Sequence, residues 1–276
     1  MTTVANPVVS GYSDLAAAYD SPANLRSCWG TASDEIVAGI ELKPSYRTIA
    51  DIGCGTGQAL EALAARAPEG SQLIGVEPAE QMRERAQVRT SHFRNVRILD
   101  GTFESIPIDS DSVDYLYSIH AFHWATDPTR GAEEVARVLQ PGGELDLFFV
   151  GPDNGAEFNR VTTPLMRKYM GRAYMAMAAK MQRQISREQA LALFARTLGR
   201  EGLTVDESRR TYWDTLEGHW GWRVRIEGHF SRIPADKRAA FDAEVRDALQ
   251  SLSTERGIPY TIHQLHVKLR RPQNWE

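Results

Sequence analysis

The sequence predicts an α/β fold, a doubly wound and mainly parallel sheet covered by helices on both faces. Three observations predict it. Short apolar runs alternate with helix-length amphipathic stretches through the first 150 residues, which is the pattern of repeated βα units. The first run, Thr48-Ile49-Ala50, passes through Asp51-Ile52 into Gly53-Cys54-Gly55-Thr56-Gly57 and then into the helix-forming Gln58 to Leu63. The last run, Leu145 to Val150, is apolar at almost every position, as a strand buried on both faces must be.

The elements follow in order. The first strand spans about 47–52 and its helix 57–66; the second strand spans 72–77 and its helix 79–88. A third strand lies near 95–99 and a fourth at 113–118, followed by a helix at about 129–139. The turn Gly142-Gly143 leads into strand five at 143–150. After Gly151 the pattern turns helical. Met166, Met170, Tyr174, Met177 and Met181 recur at steps of three and four, so they share one face of a helix over 157–183. Such a stripe is either core or a substrate-facing lid, because Met adapts to varied ligands; Gly171 is its weak point. Ser186 and Gln189 form a capping box at the start of a further helix, which Gly199 ends. Leu203–Trp213 reads as strand six and Tyr260–Leu269 as strand seven, with helices at about 215–230 and 235–256 between them. The expected organisation is a core at 1–150 with an N-terminal lid helix, a helical cap at 151–200, and the end of the sheet at 201–276 with a helical insertion at about 215–256.

The glycine segment carries the chemistry. A strand that runs through glycines into a helix lets backbone approach a ligand closely. A dinucleotide site requires G-x-G-x-x-G and a pyrophosphate at the helix N-terminus. Here the spacing is G-x-G-x-G, and Asp51 stands two residues before Gly53. A carboxylate at that point repels a pyrophosphate and suits an ammonium group. Glu77 ends the second strand, twenty residues after Gly57, where a carboxylate can accept both hydroxyls of a ribose. S-adenosyl-L-methionine carries an ammonium and a sulfonium and no phosphate, and so fits both acids.

Residues 45–150 resemble the core of a class I S-adenosylmethionine-dependent methyltransferase of the small-molecule type, similar to the type 11 and trans-aconitate methyltransferases. The matching stretches are Ala50 to Gly57, Gly75-Val76-Glu77-Pro78 with Met82, Gly101 to Pro107, Ser112-Val113-Asp114, and Arg137 to Gly143. The resemblance implies a Rossmann-like seven-stranded sheet ending in strands six and seven. It implies a cofactor site at Asp51, Gly53, Gly55, Gly57, Glu77, Pro78, Met82, Thr102, Phe103 and Ser118. One departure is visible. Where the family commonly has Gly-Asp-Ala-Glu, this chain has Gly101-Thr102-Phe103-Glu104, so the Thr102 hydroxyl and the Phe103 backbone N–H stand where an Asp usually meets the adenine.

The methyl acceptor belongs at the carboxyl end of strand four, Ser118 to Trp124, beside the cofactor. Its His-Trp pair resembles a segment of carboxylate O-methyltransferases acting on small acids. Methyl transfer is an in-line displacement, which needs alignment and exclusion of water. A carboxylate acceptor needs no base, whereas a phenol, amine or activated carbon profits from one. His120 and His123 are the candidates for that base, and each also has a packing reading. Tyr19 is the best candidate to cover the site from a helix-like lead-in over 13–27, which Tyr12 precedes and Trp29 follows. Trp213, Trp220, Trp222, Tyr260, His263 and His266 supply aromatic surface, and Arg223 with Arg225, or Arg167 with Lys168, could hold a carboxylate.

Composition narrows the classes. The 276 residues carry a net charge of −4, with no basic, apolar leader at the N-terminus and no run long enough to span a membrane, so a cytoplasmic enzyme is expected. Cys28 and Cys54 are too few for a disulfide framework or a thiolate zinc site, and no metal is expected. Residues 1–150 hold 11 Lys and Arg against 21 Asp and Glu, and the remainder 21 against 15. That basic second half keeps a tRNA or rRNA methyltransferase in play beside a small-molecule enzyme. A non-methylating adenosylmethionine-binding protein is the third class, because fold does not fix reaction. A small-molecule acceptor, free of nucleic acid and membrane, is the leading expectation.

Overall fold

The computed structural model describes residues 7–181, 184–228 and 233–273, the side chains of Pro7, 172–181 and 223–228 excepted. Three helices precede the sheet: α1 (Pro7–Tyr19), α2 (Pro22–Leu25) and α3 (Cys28–Gly39). The sequence suggested one lead-in over 13–27. It is divided because Ser21 and Ser27 each accept a backbone N–H at a helix start, from Asn24 and Gly30, and Pro22 occupies the first helical position.

The βα units then run as β1 (Thr48–Ile52), α4 (Gln58–Ala64), β2 (Gln72–Val76), α5 (Glu80–Thr90), β3 (Val96–Leu99), β4 (Val113–Ile119), a 3₁₀ turn at Phe122–Trp124, α6 (Pro128–Val138) and β5 (Leu139–Val150). The second half adds α7 (Ala156–Met181), α8 (Arg187–Leu198), β6 (Thr204–Asp214), α9 (Leu216–Gly228), α10 (Ala235–Gln250) and β7 (Ile258–Arg270). The seven strands form one sheet in the order β3-β2-β1-β4-β5-β7-β6. The first five are parallel, and β7 lies antiparallel between β5 and β6. Chain direction along the sheet reverses between β1 and β4, and the crevice above that point is where such sheets bind ligands.

Apolar residues cover both faces of the sheet, as parallel strands require. On one face α6 and α8 seat Val135, Ala190, Phe194 and Leu198 against Leu116, Leu147 and Val267. On the other, α3 and α4 seat Ile36, Leu60 and Leu63 against Ile49, Leu73 and Tyr117. A further cluster joins α3, α7, α9 and α10 to β7 through Cys28, Phe158, Trp222, Phe241 and Tyr260.

Two local expectations differ from the structure. Gly142-Gly143 does not turn into strand five but lies inside β5, which begins at Leu139; Gly142 takes φ 79°, and the pairing with β4 shifts register between Val113 and Tyr115. The Met-bearing helix is broken at Gly171, whose φ of 77° and ψ of 168° are not helical. Side chains of Tyr174, Met177 and Met181, and of Arg223 and Arg225, lie outside the described residues, as does the expected helix end at residue 183.

Candidate active site

The glycine loop crosses from β1 to α4 with left-handed backbone at Gly53, Gly55 and Gly57. A Cβ on Gly53 would lie 2.4 Å from the Ala121 Cβ, so at that point the loop touches the end of β4 and only glycine fits. The N–H groups of Gly53 and Cys54 donate to the Val76 carbonyl at 2.7 and 3.1 Å, tying the loop to the tip of β2. Glu77 completes the tie. Its Oε2 accepts the Gly55 N–H and its Oε1 the Ala79 N–H, both at 2.9 Å. A carboxylate has about four acceptor positions, so two remain for a ligand's hydroxyls. Burial raises the Glu77 pKa, against the lowering by the Ala79 and Gly55 N–H groups.

Asp51, at 2% exposure, is the second buried acid. Burial pushes its pKa up to about 7; the Tyr117 hydroxyl opposes this and the Glu77 charge adds to it. Two carboxylates thus stand side by side in a desolvated site, and among the described residues no cation contacts Asp51. A cationic ligand would remove that cost.

A third acid, Asp20, was not singled out from the sequence. It follows α1 and accepts from the Thr56 hydroxyl at 2.7 Å, from Arg89 at 2.8 Å and from Arg85 at 3.2 Å. Arg89 also donates to the Thr56 carbonyl at 2.9 Å. Burial acts to raise the Asp20 pKa, but the Thr56 hydroxyl and the Arg89 charge hold it below the usual carboxylate range. Asp20 therefore fastens the N-terminal segment to the glycine loop.

These elements border a cavity of about 760 Å³. Tyr19, Asp51, Gly53, Gly55, Glu77, Pro78, Met82, Thr102, Phe103, His120 and His123 all line it. Gly57 and Ser118 do not. Gly57 is a packing residue: a Cβ there would come within 3.1 Å of Ala86 on α5. Ser118 is wholly buried in β4, and strand alternation turns its side chain away from the face that Ile119 presents. Thr102 and Ser105 exchange backbone hydrogen bonds at 3.2 Å, which places Thr102 at the wall; the Phe103 ring packs edge-on against Phe122 with centroids 5.1 Å apart.

The far end of the cavity is aromatic. Trp29 of α3 packs 6.1 Å from Trp222 of α9 and 5.9 Å from Tyr260 of β7, and Phe158 of α7 lies 4.9 Å from Tyr260. Met166 and Met170 add to this wall, and Asn154, Asn159 and Thr162 give it polar points. Of the other sequence candidates, Trp213, Trp220, His263 and His266 lie elsewhere: Arg256 covers Trp213, Arg246 covers Trp220, and the two histidines bond Glu207 and Asp146. Arg167 and Lys168 do not reach the cavity either, and Lys168 pairs with Glu244 at 2.6 Å.

His120 and His123 stand between the two ends. His120 has φ 54°, and its N–H donates to the Phe148 carbonyl at 2.7 Å. Its ring meets Trp29 edge-on at 5.2 Å. Burial pushes the His120 pKa down to about 4, opposed by Gln264. His123 is 5% exposed, its ring 4.9 Å from that of Trp124 and its Nδ1 buried with no hydrogen-bond partner among the described residues. Burial and the neighbouring His120 push its pKa down to about 3. Both imidazoles are therefore neutral across the physiological range.

A glycine loop between two buried acids, at the switch point of a sheet ordered 3-2-1-4-5-7-6, defines a Rossmann-like domain of the class I methyltransferase type. Residues 50–147 match the family model described as a methyltransferase domain, and the chain carries that domain. An uncharacterized methyltransferase of Mycobacterium tuberculosis is 40% identical over 108 residues, 39% of this chain and 42% of that protein. The malonyl-[acyl-carrier protein] O-methyltransferase of a Methylovorus species is 31% identical over 127 residues, 44% of this chain and 43% of that one. Under half the length of either relative is matched. The YcgJ protein of Bacillus subtilis superposes with a TM-score of 0.60 at 20% identity, over 89% of this chain and all of that one, which establishes the shared fold.

Proposed function

We propose that the protein transfers a methyl group from S-adenosyl-L-methionine to a small-molecule acceptor. One observation carries the reading: Asp51 and Glu77 stand buried on either side of a glycine loop at one end of a cavity whose other end is aromatic. The donor's ammonium pairs with the carboxylate nearest β1, and its ribose hydroxyls bond the free acceptor positions of Glu77. Pro78, Met82, Thr102 and Phe103 form the walls about its adenine, and Tyr19 with Tyr12, 5.5 Å apart, close the site from α1. This directs the sulfonium methyl toward His120 and His123, with the acceptor against Trp29, Trp222 and Tyr260.

The helices after β5, and those between β6 and β7, act in this reading as a cap that sizes the site for a small molecule. The basic second half gives little support to an RNA substrate. Arg209 pairs with Asp153, Arg210 with Glu35, Arg238 with Asp242 and Arg246 with Glu217, so much of its charge is spent within the chain. Among the described residues no helix is long and apolar enough to cross a membrane.

Calorimetric titration with S-adenosyl-L-methionine tests the donor site. Saturable one-to-one binding is expected, and no heat at millimolar donor would overturn the assignment. Transfer of labelled methyl to compounds below about 1 kDa in an extract, unaffected by ribonuclease, tests the acceptor class.

A further inference from the structure

His120 is held in a manner that donor binding does not explain. It is one of two residues other than glycine with left-handed backbone among those described, and it stands at the carboxyl end of β4, facing the cavity. Such a conformation persists only where the surroundings impose it, and it commonly marks a functional position. Here it aims the imidazole between two partners. The Nε2 atom lies 3.3 Å from Oε1 of Gln264, which belongs to β7, and Nδ1 lies 3.4 Å from Oγ of Ser33, which belongs to α3 and lines the cavity.

The Gln264 contact selects the tautomer, because the Ser33 hydroxyl can donate or accept. With the Gln264 amide oxygen turned to the ring, Nε2 carries the ring proton and Nδ1 keeps an unprotonated lone pair that meets the Ser33 hydroxyl. That lone pair points toward Ser33 and hence toward the cavity wall. Edge-on packing against Trp29 keeps the ring from turning. His123 has no comparable arrangement, because its buried Nδ1 has no hydrogen-bond partner among the described residues.

We infer that His120 is the proton acceptor of the transfer and Gln264 its positioning residue, and that the substrate class is an acceptor that still bears its proton: a hydroxyl, an amine or an activated carbon acid. The inference rests on the methyltransferase reading. The acceptor's electron pair forms the new bond to the methyl carbon, and the carbon–sulfur pair leaves with sulfur as neutral S-adenosylhomocysteine. The acceptor's proton passes to Nδ1. One positive charge leaves the sulfonium as one appears on the imidazole, so the net charge within the buried site does not change, and Asp51 and Glu77 face a cation before and after the step. A carboxylate acceptor, already ionised, would have no use for an oriented lone pair.

The tautomer is measured by long-range ¹H–¹⁵N correlation on protein labelled with ¹⁵N-histidine, with His120→Gln to assign the signal. Wild type is expected to show a protonated Nε2 and a bare Nδ1. Gln264→Leu should give a mixture of tautomers, and Gln264→Glu should restore the single form. A protonated Nδ1 in wild type, or a tautomer indifferent to Gln264→Leu, would overturn the inference whether or not an acceptor is in hand.

The class of acceptor is read from the product. Labelled material from an extract given methyl-labelled donor is warmed in mild alkali, which releases methanol from methyl esters and leaves ethers, methylamines and C-methyl groups intact. More than nine-tenths of the label is expected to stay non-volatile, and predominantly volatile label would sink the proposal. Donor titration of the same samples separates the two levels of argument: wild type that binds no S-adenosyl-L-methionine refutes the methyltransferase reading, whereas donor binding with the wrong tautomer or an ester product refutes only the role of His120.

Discussion

The two ends of the cavity are built differently. The donor end comes from a short stretch of chain: Asp51, the glycine loop, Glu77 and Thr102 all lie within about fifty residues, on consecutive βα units. The acceptor end is collected from α3, β4, α7, α9 and β7, so residues as distant in sequence as Trp29 and Tyr260 touch. A common ligand can be served by local sequence, which any homologous chain can reuse. The variable partner is served by tertiary packing, which each chain assembles anew.

If that separation is real, damage to one end should spare the other. The largest effect is expected at Trp222, which is 4% exposed and packs on Trp29, Phe158 and Tyr260. Trp222→Ala should cost about 3–5 kcal/mol of stability, the usual range for a truncated core aromatic. Methyl transfer should fall with it, while the donor dissociation constant of the still-folded fraction stays within about twofold, since 0.4 kcal/mol is about that factor. Parallel loss of donor affinity in titrations at low temperature would show that the ends are one unit.

The same contrast explains what could be read from the sequence. The βα alternation, the G-x-G-x-G loop and Glu77 are encoded in consecutive residues, and the seven-stranded Rossmann-like sheet and its methyltransferase domain were legible from them. Gly57 belongs to the glycine motif and Ser118 to the carboxyl end of strand four, which is where a ligand is expected; packing on Ala86 and strand alternation keep both from the cavity. Asp20 was missed because its partners, Thr56, Arg85 and Arg89, lie more than thirty residues away, and an isolated acid after a helix carries no signal. Ser33 and Gln264 were equally silent, for their relation to His120 exists only once α3 and β7 are placed beside β4.

Asp51→Asn should act at the donor end alone. Loss of a charge-assisted contact to the ammonium should weaken donor binding by about 1.5–3 kcal/mol, roughly ten- to a hundredfold. Stability should move in the opposite direction. In the free protein the Asp51 pKa is raised to about 7 by burial, so the unfolded chain holds fewer protons than the folded one between its ordinary value and 7. Its contribution is therefore complete at low pH and is lost as pH rises through about 7. The Asn variant, which has no charge to bury, should melt at a higher temperature than wild type at pH 8, with the gap narrowing toward pH 5. An unchanged gap in melting curves across that range would mean that Asp51 is not the strained acid.

Wild type should show the same titration from the ligand's side. The donor's ammonium needs the ionised carboxylate, so the apparent affinity should rise by about three- to tenfold between pH 6 and 8, a fraction of the tenfold-per-unit limit for one proton. The two histidines stay neutral throughout that range, and the acceptor end should contribute nothing to the slope. Calorimetry in buffers of differing ionisation enthalpy would count the proton released from Asp51; proton uptake in its place would refute the assignment.

The smallest effect belongs to Asp20, which touches neither end of the cavity in its own right. It fixes α1 over the donor through Thr56 and Arg89. Partly exposed ion pairs contribute under about 1 kcal/mol, so Asp20→Asn should change the donor dissociation constant by no more than about fivefold. Its effect should fall on the dissociation rate, because a latch slows exit far more than it speeds entry. Stopped-flow displacement with S-adenosylhomocysteine is the measurement that decides it. A faster dissociation with an unaltered association rate makes α1 a cover over a preformed donor site. A change confined to the association rate would instead make Asp20 part of the entrance, and the donor end would then depend on chain well outside its own βα units.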